Sequence, residues 1–130
     1  MRVIVAGSRT CTNPQDTFDA IKESGFEISR IISGGAKGPD KFGERYAEQH
    51  CIPFTVYPAE WEIHGKSAGF IRNTEMAQNA DALVAVWDGK SRGTFHMIQE
   101  ARKRGLKVFT WAPAELSDKK PPRVLPPEGL

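Results

Sequence analysis

Residues 33–40 read Ser33-Gly34-Gly35-Ala36-Lys37-Gly38-Pro39-Asp40. This stretch follows the β-branched pair Ile31-Ile32 and precedes a polar helical pattern, so it predicts a strand, a glycine-rich turn and the start of a helix. Backbone N–H groups at a helix N-terminus lack partners, and glycines let an anion approach them closely. Taken alone, the stretch fits two interpretations equally well. One is a phosphate site, and the other is a tight turn in which the glycines only allow the backbone conformation. Matching loops elsewhere in the chain are needed to choose between the two.

The size and charge of the chain limit the possible classes of protein. Its 130 residues are enough for one domain with a core, and a formal net charge of +2 is too small to indicate nucleic-acid binding. Residues 1–5 do not resemble a signal peptide, and no later run is long enough to cross a bilayer, so we expect a cytoplasmic protein without membrane contact. Cys11 and Cys51 form no CxxC pair and show no metal-ligand spacing with the histidines. We therefore expect neither a metal nor a cofactor.

Short apolar runs alternate with helical patterns along the chain. The predicted strands are 2–6, 28–33, 53–57, 82–87 and 107–111, and the predicted helices are 14–24, 39–49, 69–79 and one that runs from the loop 88–94 to Gly105. This alternation predicts an α/β fold, a single doubly wound domain over residues 1–112 with a mainly parallel five-stranded sheet. Residues 113–130 are rich in proline and poor in large apolar side chains, so we expect a tail that is flexible or docks on a partner.

Three glycine-containing loops follow predicted strands, at residues 7–9, 33–40 and 88–94. Because the carboxyl ends of parallel strands share one edge of a sheet, we expect these loops to meet. The loop 88–94 offers backbone donors, hydroxyls and cations, which are the components of a phosphate cradle, although a solvated charged loop has the same composition. Neither GxGxxG nor GxxxxGK[ST] occurs, which argues against ordinary dinucleotide dehydrogenases and P-loop NTPases.

The candidate ligand-binding residues lie in these loops and near the start of the helix 69–79. They are Gly7, Ser8, Arg9, Gly34, Gly35, Ala36, Asp40, Arg72, Asn73, Asp88, Ser91, Arg92, Gly93 and Thr94. Arg9 is suited to a second phosphate, and Asp40 either accepts hydrogen bonds from ribose hydroxyls or interacts with the helix dipole. Trp61 is a candidate for stacking on a base, whereas Trp87 ends an apolar strand and is expected to pack.

Four motifs, in this order, resemble the YspA-like branch of the SLOG superfamily. They are Val5-Ala6-Gly7-Ser8-Arg9, residues 32–40, Ile71-Arg72-Asn73-Thr74-Glu75-Met76, and residues 87–94. The resemblance covers residues 1–111 and implies a Rossmann-like domain that binds nucleotides or nucleotide-derived signals, often as a homo-oligomer. The stretch 33–40 is also similar to the corresponding loop of the DNA-processing Smf/DprA relatives.

Some members of this superfamily are enzymes, and the resemblance to them is incomplete. The cytokinin-activating LOG enzymes cleave the N-glycosidic bond of nucleoside monophosphates with an arginine-bearing helix and a Pro-Gly-Gly-x-Gly-Thr-x-x-Glu loop. Arg72 and Met76 resemble the first part and Gly93-Thr94 the second, but Met97 stands at the position of the glutamate. Methionine neither relays a proton nor stabilises an oxocarbenium-like centre. This departure argues against catalysis.

The leading hypothesis is a non-catalytic protein that senses or sequesters an adenine nucleotide or an ADP-ribose-like signal. Its phosphate is expected on Gly93-Thr94 with Arg92. The first alternative is a LOG-like phosphoribohydrolase that uses Arg72 with Glu75. The second is DprA-like binding of nucleic acid, which the Smf/DprA similarity and the cations of residues 102–107 suggest. The sequence names neither the ligand nor the oligomeric state.

Overall fold

The computed structural model describes residues 1–113 and the backbone of residues 124–125. The strands are β1 (Arg2–Gly7), β2 (Arg30–Ser33), β3 (Phe54–Val56), β4 (Ala82–Val86), β5 (Lys107–Trp111) and β6 (Val124–Leu125). The helices are α1 (Pro14–Ser24), α2 (Pro39–Gln49), α3 (Trp61–His64), α4 (Ala68–Gln78) and α5 (Arg92–Lys103), with a 3₁₀ turn at Gly65–Ser67.

The strands form one sheet in the order β3-β2-β1-β4-β5-β6. β1 to β5 are parallel, which confirms the predicted α/β, Rossmann-like fold. The structure adds β6, which pairs antiparallel with β5 and gives partners to an edge that β5 would otherwise expose. The sequence did not predict this strand because it is two residues long and lies between prolines. The rest of the predicted tail, residues 114–123 and 126–130, lies outside the described residues.

Helices cover both faces of the sheet, and alternate residues of β1 show how the two layers are built. Val3 and Val5 belong to a core that includes residues of α1 and α2, whereas Ile4 and Ala6 belong to a core that includes residues of α4 and α5. All four side chains are buried. Burial on both faces explains why the strands are continuous apolar runs rather than alternating ones.

The order of the strands reverses at β1. The chain moves outward from β1 through β2 to β3, and then β4 returns to the opposite side of β1. Ligands of open α/β sheets bind at such a switch point, beyond the carboxyl ends of the strands. Here the loops after β1 and β4 are joined at their bases, because Ser8 N–H donates to the Val86 carbonyl at 3.0 Å and Asp88 N–H donates to Ser8 Oγ at 3.1 Å.

The connection between β3 and α4 is more ordered than its sequence predicts. Residues 58–68 lie between the predicted strand 53–57 and the predicted helix 69–79, where no element was predicted, but they contain α3 and a 3₁₀ turn, and α4 begins at Ala68. These turns place Trp61 and Lys66 at the carboxyl edge of the sheet. Among the described residues, no helix combines the length and the apolar character that a membrane span requires.

Candidate functional site

A cavity of about 480 Å³ lies at the switch point. Most of the predicted ligand-binding residues line it, namely Gly7, Ser8, Arg9, Ala36, Asp40, Arg72, Asn73, Asp88, Ser91, Gly93 and Thr94. Gly34 and Gly35 instead line an adjoining cavity, and Arg92 is exposed and lines neither of the two. The fold therefore brings the three glycine-containing loops together around one space.

Asp88 shapes the loop that precedes α5. Its Oδ1 accepts hydrogen bonds from the backbone N–H groups of Lys90 and Ser91, both at 2.8 Å, and its Oδ2 accepts one from Thr10 Oγ1 at 2.7 Å. Burial opposes ionisation of Asp88, but the backbone hydrogen bonds from Ser91 and Lys90 outweigh it and lower the pKa of Asp88 to about 2. The carboxylate therefore accepts hydrogen bonds both from its own loop and from Thr10, and it holds the loop against the segment after β1.

The N-terminus of α5 is open to the cavity. Ser91 caps the helix, with its Oγ accepting from Thr94 N–H at 3.5 Å. The N–H groups before Thr94 have no partner within the helix, and a Cβ placed on Gly93 would meet nothing within 4 Å. Trp87 packs behind this turn, where its Nε1 donates to the Ser91 carbonyl at 3.1 Å and its ring stacks on Phe95. An anion can therefore approach the N-terminus of α5, which is supported from behind by Trp87.

Arg72 of α4 reaches across the cavity to the glycine loop. Its Nη1 donates to the Gly34 carbonyl at 2.5 Å, and its Nε donates to Asn73 Oδ1 at 3.1 Å. Burial lowers the pKa of Arg72, the nearby Asp40 carboxylate opposes this effect, and the positive charge of Arg9 lowers the pKa further. Two guanidinium groups thus lie close enough to repel each other, and an anion between them would remove that repulsion.

Asn73 fixes the position of Arg72 relative to α5. Its Nδ2 donates to the Gly93 carbonyl at 3.2 Å and lies 3.2 Å from His96 Nδ1. Burial lowers the pKa of His96, so the imidazole is neutral at pH 7 and its Nδ1 can accept from Asn73. The side chains of Arg72 and Asn73 therefore connect the glycine loop to the start of α5.

Asp40 lies in the first turn of α2, beneath the cavity, and only 4% of it is exposed. Burial raises its pKa to about 6, although Arg72 and the N–H groups of Ala36, Gly7 and Gly34 oppose that rise. The Ala36 N–H donates to Asp40 Oδ2 at 3.4 Å. Asp40 therefore supports the glycine loop, and it also lines the cavity.

We expect Asp40→Asn to remove a pH dependence of stability between about pH 4 and pH 6. The folded pKa of about 6 lies above the ordinary value of 3.8, so the native state binds more protons in this window and the free energy of unfolding falls as the pH rises. The fall amounts to roughly 3 kcal/mol. Urea unfolding of the wild type and the variant between pH 4 and pH 7 measures it. A difference between the two proteins that is the same at every pH would contradict this role.

Several cavity residues were absent from the predicted set. Lys66 adds a cation to the lining of the cavity, and Phe70 and Met97 add apolar side chains to it. The length of the connection 58–68 was the available signal for Lys66. Nothing in the sequence pointed to the pair beneath the glycine loop, where Ser33 Oγ donates to Glu44 Oε2 at 2.6 Å and accepts from Gly35 N–H at 3.0 Å.

Glu75, the carboxylate of the enzyme alternative, faces a different space. It is exposed and lines a hollow of about 490 Å³ with Glu60 and His64, and Arg72, the other residue of that alternative, lines both this hollow and the cavity at the switch point. The carboxylates that line the latter are Asp40 and Asp88. Within the described part of the chain, no cluster of three or more His, Cys, Asp and Glu side chains could hold a metal ion.

Comparison with known proteins shows the family of this chain. A model of the YspA, cpYpsA-related SLOG family matches residues 1–64. The Gene 61 protein of Mycobacterium phage D29 is 34% identical, over 85% of this chain and 95% of that protein. The chain belongs to the YspA, cpYpsA-related SLOG family.

The resemblance drawn from the four motifs is thereby confirmed. Among solved structures, a phosphoribosylglycinamide formyltransferase from Coxiella burnetii is similar, with 18% identity and a TM-score of 0.46 over 85% of this chain and 49% of that chain. Family and fold together support a ligand-binding or ligand-modifying role related to nucleotides. The homo-oligomer and the cytoplasmic location stay predictions.

Proposed function

We propose that this SLOG protein binds an adenine nucleotide or an ADP-ribose-like ligand at the switch point and does not cleave it. The observation that carries the proposal is the pair Arg9 and Arg72, whose guanidinium groups face one cavity together with the open start of α5. Each of these features favours an anion, and the fold places them around one space.

The charges around the cavity support an anionic ligand. Its cationic side chains are Arg9, Lys66, Arg72 and Lys90, and its acidic ones are Asp40 and Asp88. The Asp88 carboxylate is engaged by the loop, and Asp40 has an elevated pKa beside Arg72. The four cationic side chains outnumber the two carboxylates, so the lining keeps a net positive charge toward a phosphate even with Asp40 ionised at pH 7.

The proposal that the protein does not cleave its ligand rests on the residue in the cavity wall beside Thr94. Met97 is buried there, at the position where the resembled LOG loop carries its glutamate. A thioether has no proton to give and carries no negative charge for an oxocarbenium-like centre. We infer that the protein senses or sequesters its ligand.

Calorimetry and thermal unfolding with AMP, ADP, ATP and ADP-ribose test the proposed function. A ligand at about 100 times its Kd is expected to stabilise the protein by roughly 2.7 kcal/mol. Stabilisation by none of the four at millimolar concentration would reject nucleotide binding. Release of free adenine during incubation with AMP would reject the non-catalytic part.

Substitution of Gly93 tests contact with the phosphate without disturbing the fold. A Cβ at this position meets no atom beyond its chain neighbours and the backbone of its own helix within 4 Å, so Gly93→Ala and Gly93→Val are expected to fold as the wild type does. In the complex, that space belongs to the ligand. We expect the loss of AMP affinity to increase with side-chain volume and to reach about tenfold for valine, or roughly 1.4 kcal/mol. Wild-type affinity of Gly93→Val, measured by calorimetry, would place the phosphate elsewhere.

A further inference from the structure

A second cavity, of about 520 Å³, lies beside the first, over the carboxyl ends of β2 and β3. Its walls come from the glycine loop, from α2 and from the segment after β3. The two cavities adjoin, because Arg9, Ala36, Trp61 and Arg72 line both. A ligand whose phosphate lies between the two guanidinium groups therefore has room on either side of them.

The second cavity is lined by cationic side chains. These are Arg9, Lys37, Lys41 and Arg72, and no aspartate or glutamate is among its described lining residues. Lys41 Nζ lies 3.6 Å from Glu44 Oε1, but that carboxylate also accepts from Ser33 and is largely buried. The side chains of Lys37 and Lys41 are exposed toward solvent. Like charges gathered along one cavity concentrate anions there.

The opposite wall of the second cavity is apolar. Val56 and Trp61 are large hydrophobic side chains that stay exposed, and Pro58 and Ala59 extend the same surface. A cationic side facing an apolar side suits a phosphorylated sugar or nucleoside better than a free inorganic ion.

We propose that the second cavity holds a second anionic group of the ligand, so that the preferred ligand is an extended nucleotide with two separated phosphates. This inference rests on the proposed nucleotide binding at the switch point. The first phosphate contacts Arg9, Arg72 and the start of α5, and the second contacts Lys37 and Lys41. The glycine loop lies between the two sets, and the Arg72 guanidinium lies over Gly34 at the boundary of the two cavities.

Calorimetry with four probes tests the inference: AMP, ADP, adenosine 2′,5′-bisphosphate and adenosine 3′,5′-bisphosphate. At least one bisphosphate is expected to bind the wild type about five- to tenfold more tightly than AMP, as two exposed lysine contacts allow. In the double variant Lys37→Gln with Lys41→Gln, this preference is expected to fall below about twofold. The matched control is Lys22→Gln with Lys107→Gln, which makes the same change of charge away from both cavities and is expected to keep the preference.

The outcomes separate the two proposals. AMP binding without any preference for a bisphosphate, or a preference that survives in the Lys37 and Lys41 variant, overturns the second phosphate site and leaves the proposed function standing. A preference confined to ADP places the second phosphate next to the first and also overturns it. Failure of all four probes to bind the wild type overturns both proposals.

Discussion

Arg72→Gln is expected to lower the affinity for AMP on the order of 100-fold, because a partly buried cation that contacts a phosphate is lost. The glutamine amide nitrogen lies at the level of Arg72 Nε, so it can still donate to Asn73 Oδ1, whereas the hydrogen bond from Nη1 to the Gly34 carbonyl is lost together with the charge. Calorimetry at pH 7 measures the change. The exposed Arg45, whose guanidinium lies over the Phe42 ring outside the cavity, provides the matched control, and Arg45→Gln is expected to change affinity less than about twofold.

The same substitution has a structural effect that must be separated from ligand binding. Without the Arg72 cation, Asp40 is a buried carboxylate with less compensation, so its pKa rises further and the protein is less stable at pH 7. Adding Asp40→Asn removes that buried charge. The double variant is therefore expected to recover stability but not affinity. Recovery of both would show that Arg72 acts only through the fold.

Gly7→Ala is expected to lower the free energy of unfolding by about 3 kcal/mol or more. A Cβ on Gly7 would overlap the Val86 carbonyl oxygen and lie 2.5 Å from Pro39 Cγ. The first of these neighbours is backbone of the adjacent strand, where Gly7 pairs with Val86, and the second belongs to the first turn of α2. Neither can turn away as a flexible side chain would, so β1 and β4 must shift apart.

Urea unfolding measures this effect, with Gly93→Ala as the control. Both variants add one methyl group at the carboxyl edge of the sheet, but the methyl on Gly93 meets no neighbour within 4 Å. Gly93→Ala is expected to keep wild-type stability or to exceed it slightly, because alanine loses less backbone entropy in a helix than glycine. Equal unfolding midpoints for Gly7→Ala and Gly93→Ala would show that the strands at Gly7 have more freedom than the structure indicates.

Local patterns predicted most of the fold. α1 and α2 begin and end at the predicted residues because each has a proline in its first turn, and Asn13 and Gly25 provide side-chain and left-handed caps at the two ends of α1. The parallel sheet followed from apolar runs without alternation. β6 and the short turns within 58–68 were not predicted, since β6 depends on pairing with β5 and α3 on contact with α4 rather than on their own sequence.

The site was predicted as a set of residues but not as a set of roles. Asp88 appeared as a ligand contact, whereas its oxygens accept from Thr10 and from two backbone N–H groups. Gly34 was predicted as a ligand-binding residue, and the structure adds that its carbonyl accepts from Arg72. The contacts of Thr10 with Asp88 and of Arg72 with Gly34 join residues 78 and 38 positions apart, which no local pattern indicates, whereas the bonds from Lys90 and Ser91 to Asp88 are local.

The sequence by itself determined that strands and helices alternate and that glycine-containing loops leave three strands on the same edge, because apolar periodicity and turn residues act locally. Tertiary structure alone decided that Arg72 crosses to the glycine loop, that Asp40 is buried beside it and that a second cationic cavity adjoins the first. Burial and charge pairing depend on which distant segments meet. The order of strands around β1 sets that arrangement.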